Sequence, residues 1–123
     1  MNASSFDLDA FPANGAADRV RALIELTDNL ADIFEQENLA LVNSQTEEIA
    51  PLQVEKARLA AAYAQAIQAV AKDRSGIASV GAALLSKLHE ATKAFEARAA
   101  RQKTLLEQAA RSVGHSEIAA TSA

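Results

Sequence analysis

The chain has no cysteine and no tryptophan, and it has only two histidines, two prolines and four glycines among 123 residues. Disulfides and thiolate metal sites are therefore excluded within it. The glycines are scattered, so no glycine-rich phosphate loop is present. No apolar run reaches the roughly 18 residues of a membrane-spanning helix, so we expect no stable membrane insertion. The first residues contain neither a basic nor an apolar stretch, so we expect no signal peptide. The lack of cysteine is compatible with a reducing cytoplasm.

Side chains that carry chemistry are also scarce. His89 and His115 are the only histidines, and neither has the glutamate three residues earlier that a di-iron helical bundle requires. No serine-nucleophile or metalloprotease motif is present. The glutamates at positions 35, 37, 47 and 48 fit a solvated helix face better than a catalytic carboxylate pair. We expect no enzyme, and we assign no catalytic, metal-binding or cofactor-binding residue and no cofactor.

What the chain does have is helix-forming sequence. Half of it is apolar and rich in alanine, which favours helix but fills little core volume. Apolar residues recur every three or four positions, which predicts helices over about 17–43, 45–72 and 77–113. The expected fold is all-α, an antiparallel three-helix bundle or coiled coil with a long C-terminal helix, in one domain over 16–113. Residues 1–15 are predicted to be a flexible arm, and residues 114–123, from Gly114 onward, a disordered tail.

Three local features bear on where these helices begin. Ser44 followed by Glu47 has the spacing of a capping box, which predicts a helix start there. Pro51 then either bends the second helix, the interpretation we favour, or begins it. The stretch from Asp73 to Gly76 predicts the turn before the third helix. Gly81 inside that helix would be explained by close packing against another helix.

Charge is distributed unevenly along the chain. Residues 1–55 contain eleven acidic side chains and two arginines, whereas residues 56–123 contain ten basic and five acidic side chains. An acidic helix beside a basic one explains this pattern better than a nucleic-acid surface, since aromatic residues are not interleaved with the basic ones. Glu37 and Lys56 interrupt the apolar faces of the first two helices. They either extend to solvent at the bundle edge or pair between the helices.

The third predicted helix outruns the second. Its 37 residues would reach roughly 55 Å at 1.5 Å per residue. We expect the segment from Phe95 to Val113 to overhang the bundle and to keep an apolar stripe with little to cover it. An uncovered amphipathic helix end is a reason to expect a partner helix.

The stretch from Val20 to Leu59 has a recognisable order of features. A leucine-rich first helix contains a glutamate followed by a leucine, and after a short polar break comes a second helix with a lysine near its start. The residues that carry this pattern are Leu23, Leu30, Ile33, Phe34, Glu37 and Leu41, then Asn43, Ser44 and Gln45, then Ile49, Leu52, Lys56 and Leu59. In this pattern the stretch resembles the FlgN family of flagellar type III export chaperones. The third helix, with Phe95, Ala99, Gln102, Leu105 and Leu106, fits the family's long C-terminal helix more loosely.

The resemblance implies a cytoplasmic chaperone whose C-terminal helix binds the C-terminal amphipathic helix of hook-associated (hook–filament junction) proteins. Carried onto this chain, the partner-binding positions are Leu88, Phe95, Ala99, Leu105, Leu106 and Val113. Contact with the export gate or the export ATPase complex is a further implied interaction. Some family members dock on the gate through a tyrosine near the C-terminus, and this chain has no tyrosine after Tyr63.

Two alternatives follow from the helical pattern itself. The overhang could pair with a second copy, which would make the chain a self-associating structural coiled coil. A phasin-like protein that binds a granule or membrane surface would also be alanine-rich and helical, but it needs a broader apolar face than residues 87–111 provide. The acidic and aromatic alternation from Phe6 to Phe11 is either a solvated tail or a docking motif.

Overall fold

In the computed structural model, the described residues are 15–121, with side-chain surroundings described up to residue 113. The helices are α1 (Ala16–Val42), α2 (Ile49–Ala71), α3 (Arg74–Ala78) and α4 (Ala82–Thr121), and a 3-10 turn at Thr46–Glu48 precedes α2. No strand occurs within the described range, and the predicted all-α bundle is confirmed. The predicted arm, including Phe6–Phe11, lies outside the described residues except for Gly15.

Helix α1 is the central element, and α2 and α4 flank it. Side-chain pairs give the directions. Lys56 in α2 pairs with Glu37 near the end of α1, and Asp73 just after α2 pairs with Arg19 near the start of α1. Helix α2 therefore runs antiparallel to α1. Phe34 of α1 contacts Phe95 of α4, and four residues later Asn38 donates to the carbonyl of Arg98. Because both helices advance in the same order, α4 runs parallel to α1. Over the described helices, no Cα atom of α2 lies within 8 Å of one in α4. These two helices contact each other only through long side chains, such as Lys56 with Gln102 and Tyr63 with Phe95.

The core is made mostly from α1, because this helix is covered on two sides. Its apolar face meets a row of smaller residues on α2, and larger side chains of α4 close the other side. Each buried leucine contributes roughly 1.5–3 kcal/mol. The buried residues of this cluster are Leu23, Leu26, Leu30, Ile33, Leu59, Ala62 and Ala66, with Phe34, Leu52, Tyr63, Leu88 and Phe95 packed against them.

The connection between α1 and α2 corrects two predictions. Ser44 does not cap a following helix; it adopts a left-handed conformation with φ 57° just after α1. The Gln45 amide donates to the Ala40 carbonyl at 2.8 Å, which is the bond of a Schellman C-cap. The favoured bend at Pro51 is also wrong. Pro51 is the third residue of α2, in the first turn, where its missing N–H removes no helical hydrogen bond.

The start of the third predicted helix is also corrected. A five-residue helix, α3, comes first, and the Asp73 side chain caps it by accepting from the Gly76 amide at 3.2 Å. The chain then breaks, and α4 begins only at Ala82. Gly81 is therefore not packed inside a helix, and a Cβ there would meet nothing within 4 Å. Its carbonyl accepts the first bonds of α4, from Leu84 and Leu85, and glycine is a favoured residue at such an N-cap position.

The predicted end of the last helix is wrong as well. The backbone of α4 stays helical through Gly114 to Thr121, for 40 residues, or about 60 Å at 1.5 Å per residue. A glycine ends a helix when it adopts the left-handed conformation, and no described glycine has a positive φ. The residues after it include Ser116, Glu117 and Ala119, which permit helix, so Gly114 only weakens α4 locally.

Candidate partner-binding surface

A buried polar cluster joins all three long helices near the end of α1. The Lys56 ammonium donates to Glu37 Oε1 and to Gln102 Oε1, both at 3.0 Å. The Gln102 amide donates to Glu37 Oε1 at 2.9 Å and to Asn38 Oδ1 at 3.3 Å. Asn38 in turn donates to the Arg98 carbonyl at 3.1 Å. Each of the three helices thus contributes a side chain that hydrogen-bonds to a side chain of another helix. These bonds determine the register of the helices along one another.

This cluster decides between the two interpretations of Glu37 and Lys56. Glu37 does not extend to solvent, because its side chain is only 2% exposed, and Lys56 is 28% exposed. The pair is an interhelical ion pair. The acidic first half of the chain also pairs with the basic second half through Arg98 and Glu35, whose closest atoms are 3.9 Å apart.

Aromatic rings continue the cluster toward the core. The Phe34 and Phe95 rings meet edge to face, with centroids 5.3 Å apart and an interplanar angle of 87°. Tyr63 of α2 lies against Phe95 at 5.9 Å. The Lys56 ammonium also sits 4.2 Å from the centroid of the Phe34 ring, within cation–π range. Phe95 is therefore part of the folded domain.

The six residues predicted to bind a partner fall into three groups by burial. Leu88 and Phe95 pack against the core cluster, so Phe95 does not belong to an uncovered overhang as predicted. Ala99 and Leu105 are half-buried. Leu106 is 50% exposed and Val113 is 60% exposed. The overhang exists but begins near Leu106, because Phe95 fills the space between Phe34 and Tyr63.

The free end of α4 forms an apolar stripe. Helix α1 ends at Val42, and α4 continues past this level, with every residue from 106 to 113 exposed. Leu106, Ala110 and Val113 follow one another at i, i+4 and i+7, so they share one face. A shallow depression of about 420 Å³ runs along this face from Ala99 to Ala110, with Lys103 and Glu107 at its sides.

A smaller cavity, of about 80 Å³, adjoins the N-terminal end of the stripe, at Leu106. Glu37, Lys56 and Gln102 of the polar cluster line it, together with Leu41, Ile49, Gln53 and Leu106. Gln102 and Leu106 also line the depression on α4, so the cavity and the depression lie side by side. Glu37 Oε2 is buried and receives no hydrogen bond from any described residue.

The sequence patterns pointed to part of this site and missed the rest. Glu37 and Lys56 were recognisable because each interrupts an apolar face. Gln102 occupies the same kind of position on α4, between Ala99 and Leu106, and that interruption is the signal that could have found it. Asn38 and Gln53 carried no such signal, since polar residues are ordinary at both positions of a helix surface.

Among the side chains described, those of residues 15–113, no group of three or more histidine, cysteine, aspartate or glutamate residues is arranged to hold a metal ion. The same part of the chain has no helix that is both long enough and apolar enough to cross a membrane.

Comparison of the chain with protein-family models, with curated proteins and with solved structures finds no match.

Proposed function

We propose that this chain is a cytoplasmic export chaperone of the FlgN type that binds the C-terminal amphipathic helix of hook-associated proteins. One observation carries the proposal. The apolar stripe Leu106, Ala110 and Val113 extends past the helices that cover the rest of α4. Stripes of this spacing receive partner helices that present apolar residues at i, i+3 or i+4, and i+7.

The mechanism is shielding by association and involves no bond making. Leu106 and Val113 bury apolar area only when a second helix lies along the stripe, which supplies the binding free energy. The same contact covers the partner's own apolar face and prevents its self-association before export. Lys103 and Glu107 lie beside the stripe and are exposed, so a partner helix that places an acidic residue near Lys103 and a basic residue near Glu107 would complement them.

Contact with the export gate or the export ATPase complex requires another route than a C-terminal tyrosine. Tyr63 is the single tyrosine of the sequence. It lies in α2, half-buried against Phe95 of α4, and far from the C-terminal end of α4. We therefore place the substrate contact, and not gate docking, on the described residues.

Binding of the full chain to purified hook-associated proteins from the same genome tests the proposal. Isothermal titration should give a 1:1 complex. Leu106→Asp and Val113→Asp should each weaken it about tenfold or more, as expected from the loss of a buried aliphatic side chain worth about 1.5–3 kcal/mol. Val54→Asp is the matched control, because Val54 is 74% exposed on α2, outside the stripe.

Two results would contradict the proposal. The first is equal binding by Leu106→Asp and Val54→Asp. The second is a tight symmetric dimer in sedimentation equilibrium that Leu106→Asp disrupts, without binding of any hook-associated protein; this would favour the structural coiled coil. Flotation with lipid vesicles, lost in the same variant, would favour the phasin-like alternative.

A further inference from the structure

We infer that the cavity beside Glu37 is a specificity pocket, which receives one uncharged hydrogen-bond-donating side chain, an amide or a hydroxyl, from the docked helix. The inference rests on the proposed function, since the donor belongs to the same partner that covers the stripe. It adds a polar requirement to a contact that is otherwise apolar.

The first support is the uneven state of the Glu37 carboxylate. Oε1 accepts from both Lys56 and Gln102, at 3.0 and 2.9 Å. Oε2 is buried and accepts from no described residue. A buried carboxylate oxygen without a donor is costly, so whatever supplies one is bound with a corresponding gain. Glu37 lines the cavity, so a donor group that enters the cavity comes close to this carboxylate.

The second support is the position and size of the cavity. It has about 80 Å³, more than the roughly 30 Å³ that a water molecule occupies, so it accepts a small polar group. Leu106 lines both the cavity and the depression of the stripe. A helix lying on Leu106 and Ala110 therefore passes the mouth of the cavity, and one of its side chains can enter.

The third support is charge. Glu37 and Lys56 already neutralise each other as an ion pair. A cationic side chain would add an unpaired charge to a largely buried site, whereas an amide or hydroxyl donates to Oε2 and keeps the balance. Gln53, which also lines the cavity, has an amide that can donate to the carbonyl of an entering Asn or Gln.

A double-mutant analysis tests this inference. The probe is a synthetic peptide of the C-terminal segment of a hook-associated protein that binds the chain. Each Asn, Gln, Ser and Thr in the peptide is replaced by Ala in turn. Affinities are measured for the unsubstituted chain, for Glu37→Gln, for Ile49→Phe, which fills the cavity and leaves the polar cluster intact, and for Val54→Phe as the control for added bulk.

One peptide substitution should weaken binding about tenfold or more to the unsubstituted chain and to Val54→Phe, as for loss of a hydrogen bond to a charged group. The same substitution should matter less than about twofold for Ile49→Phe and Glu37→Gln, because the donor has lost its pocket or its charged acceptor. If the peptide binds and Leu106→Asp weakens it, but no substitution shows this coupling, the specificity pocket is refuted and the proposed function stands. If no hook-associated segment binds, both are refuted.

Discussion

Replacing Lys56 by Met removes one ammonium group and keeps most of the side chain's length. The Glu37 carboxylate, 2% exposed, then retains only the Gln102 donor on Oε1 and has no cation beside it. Breaking a buried ion pair from one side costs about 3–5 kcal/mol. Because the Lys56 side chain is 28% exposed, water partly replaces it. We therefore expect a loss of about 3 kcal/mol, the lower end of that range.

The double variant Glu37→Gln/Lys56→Met separates ion-pair loss from packing loss. It leaves no uncompensated charge, and the amide carbonyl that replaces the carboxylate at position 37 still accepts from Gln102. Its cost should fall to about 1 kcal/mol, the net value of an ordinary hydrogen bond. The double variant should therefore be more stable than Lys56→Met alone, although it carries one more substitution.

Urea unfolding followed by circular dichroism at pH 7 measures both variants. With a slope of about 1–3 kcal/mol per molar urea, a loss of about 3 kcal/mol moves the midpoint by about 1–3 M. Lys93→Met, at an exposed position of α4, is the control and should change the midpoint little. A Lys56→Met midpoint equal to that of Lys93→Met would refute the reasoning, and so would a double variant less stable than the single one.

Two further predictions concern α1. Ser44→Gly should raise the free energy of unfolding by about 1 kcal/mol, because glycine adopts φ 57° without the Cβ clash; the same change at Ser79, with φ −86°, should bring no gain in the same urea assay. Partial desolvation and the neighbouring Asp32 raise the pKa of Asp28, although its side chain stays largely exposed, so its ionised form slightly destabilises the fold. Asp28→Asn should therefore stabilise the chain at pH 7 by at most about 0.5 kcal/mol, because the site is exposed to solvent. That gain should vanish as the pH falls and Asp28 itself becomes neutral, and a gain that persists in acid would contradict the explanation.

Long, periodic helices were accessible from the sequence, whereas the breaks between them were less so. The apolar spacing of α1 predicts residues 17–43, and the helix observed is Ala16–Val42. The same periodicity runs through Ser79–Gly81, where the chain leaves the helix and α4 begins anew. Periodicity does not distinguish a glycine inside a helix from one at its N-cap, because both fit the pattern of apolar positions.

The candidate partner-binding surface was likewise predictable only in part from the sequence. The expected uncovered stripe is present at Leu106 and Val113, but not at Phe95, which packs against the core. Where cover ends depends on the register of α4 along α1, and that register is set by contacts between residues distant in sequence, such as Asn38 with Arg98, 60 positions apart. No local pattern encodes such a distance.

The sequence alone therefore determined that the chain is helical, that an acidic first half is followed by a more basic second half, and that cysteine chemistry is absent from it. These properties depend on residue type and spacing along the chain. Only the tertiary structure decided which polar residues are buried together, at Glu37, Lys56 and Gln102, and which end of α4 stays open. Both depend on how three helices pack in register, because burial is a property of neighbours in space and not of neighbours in sequence.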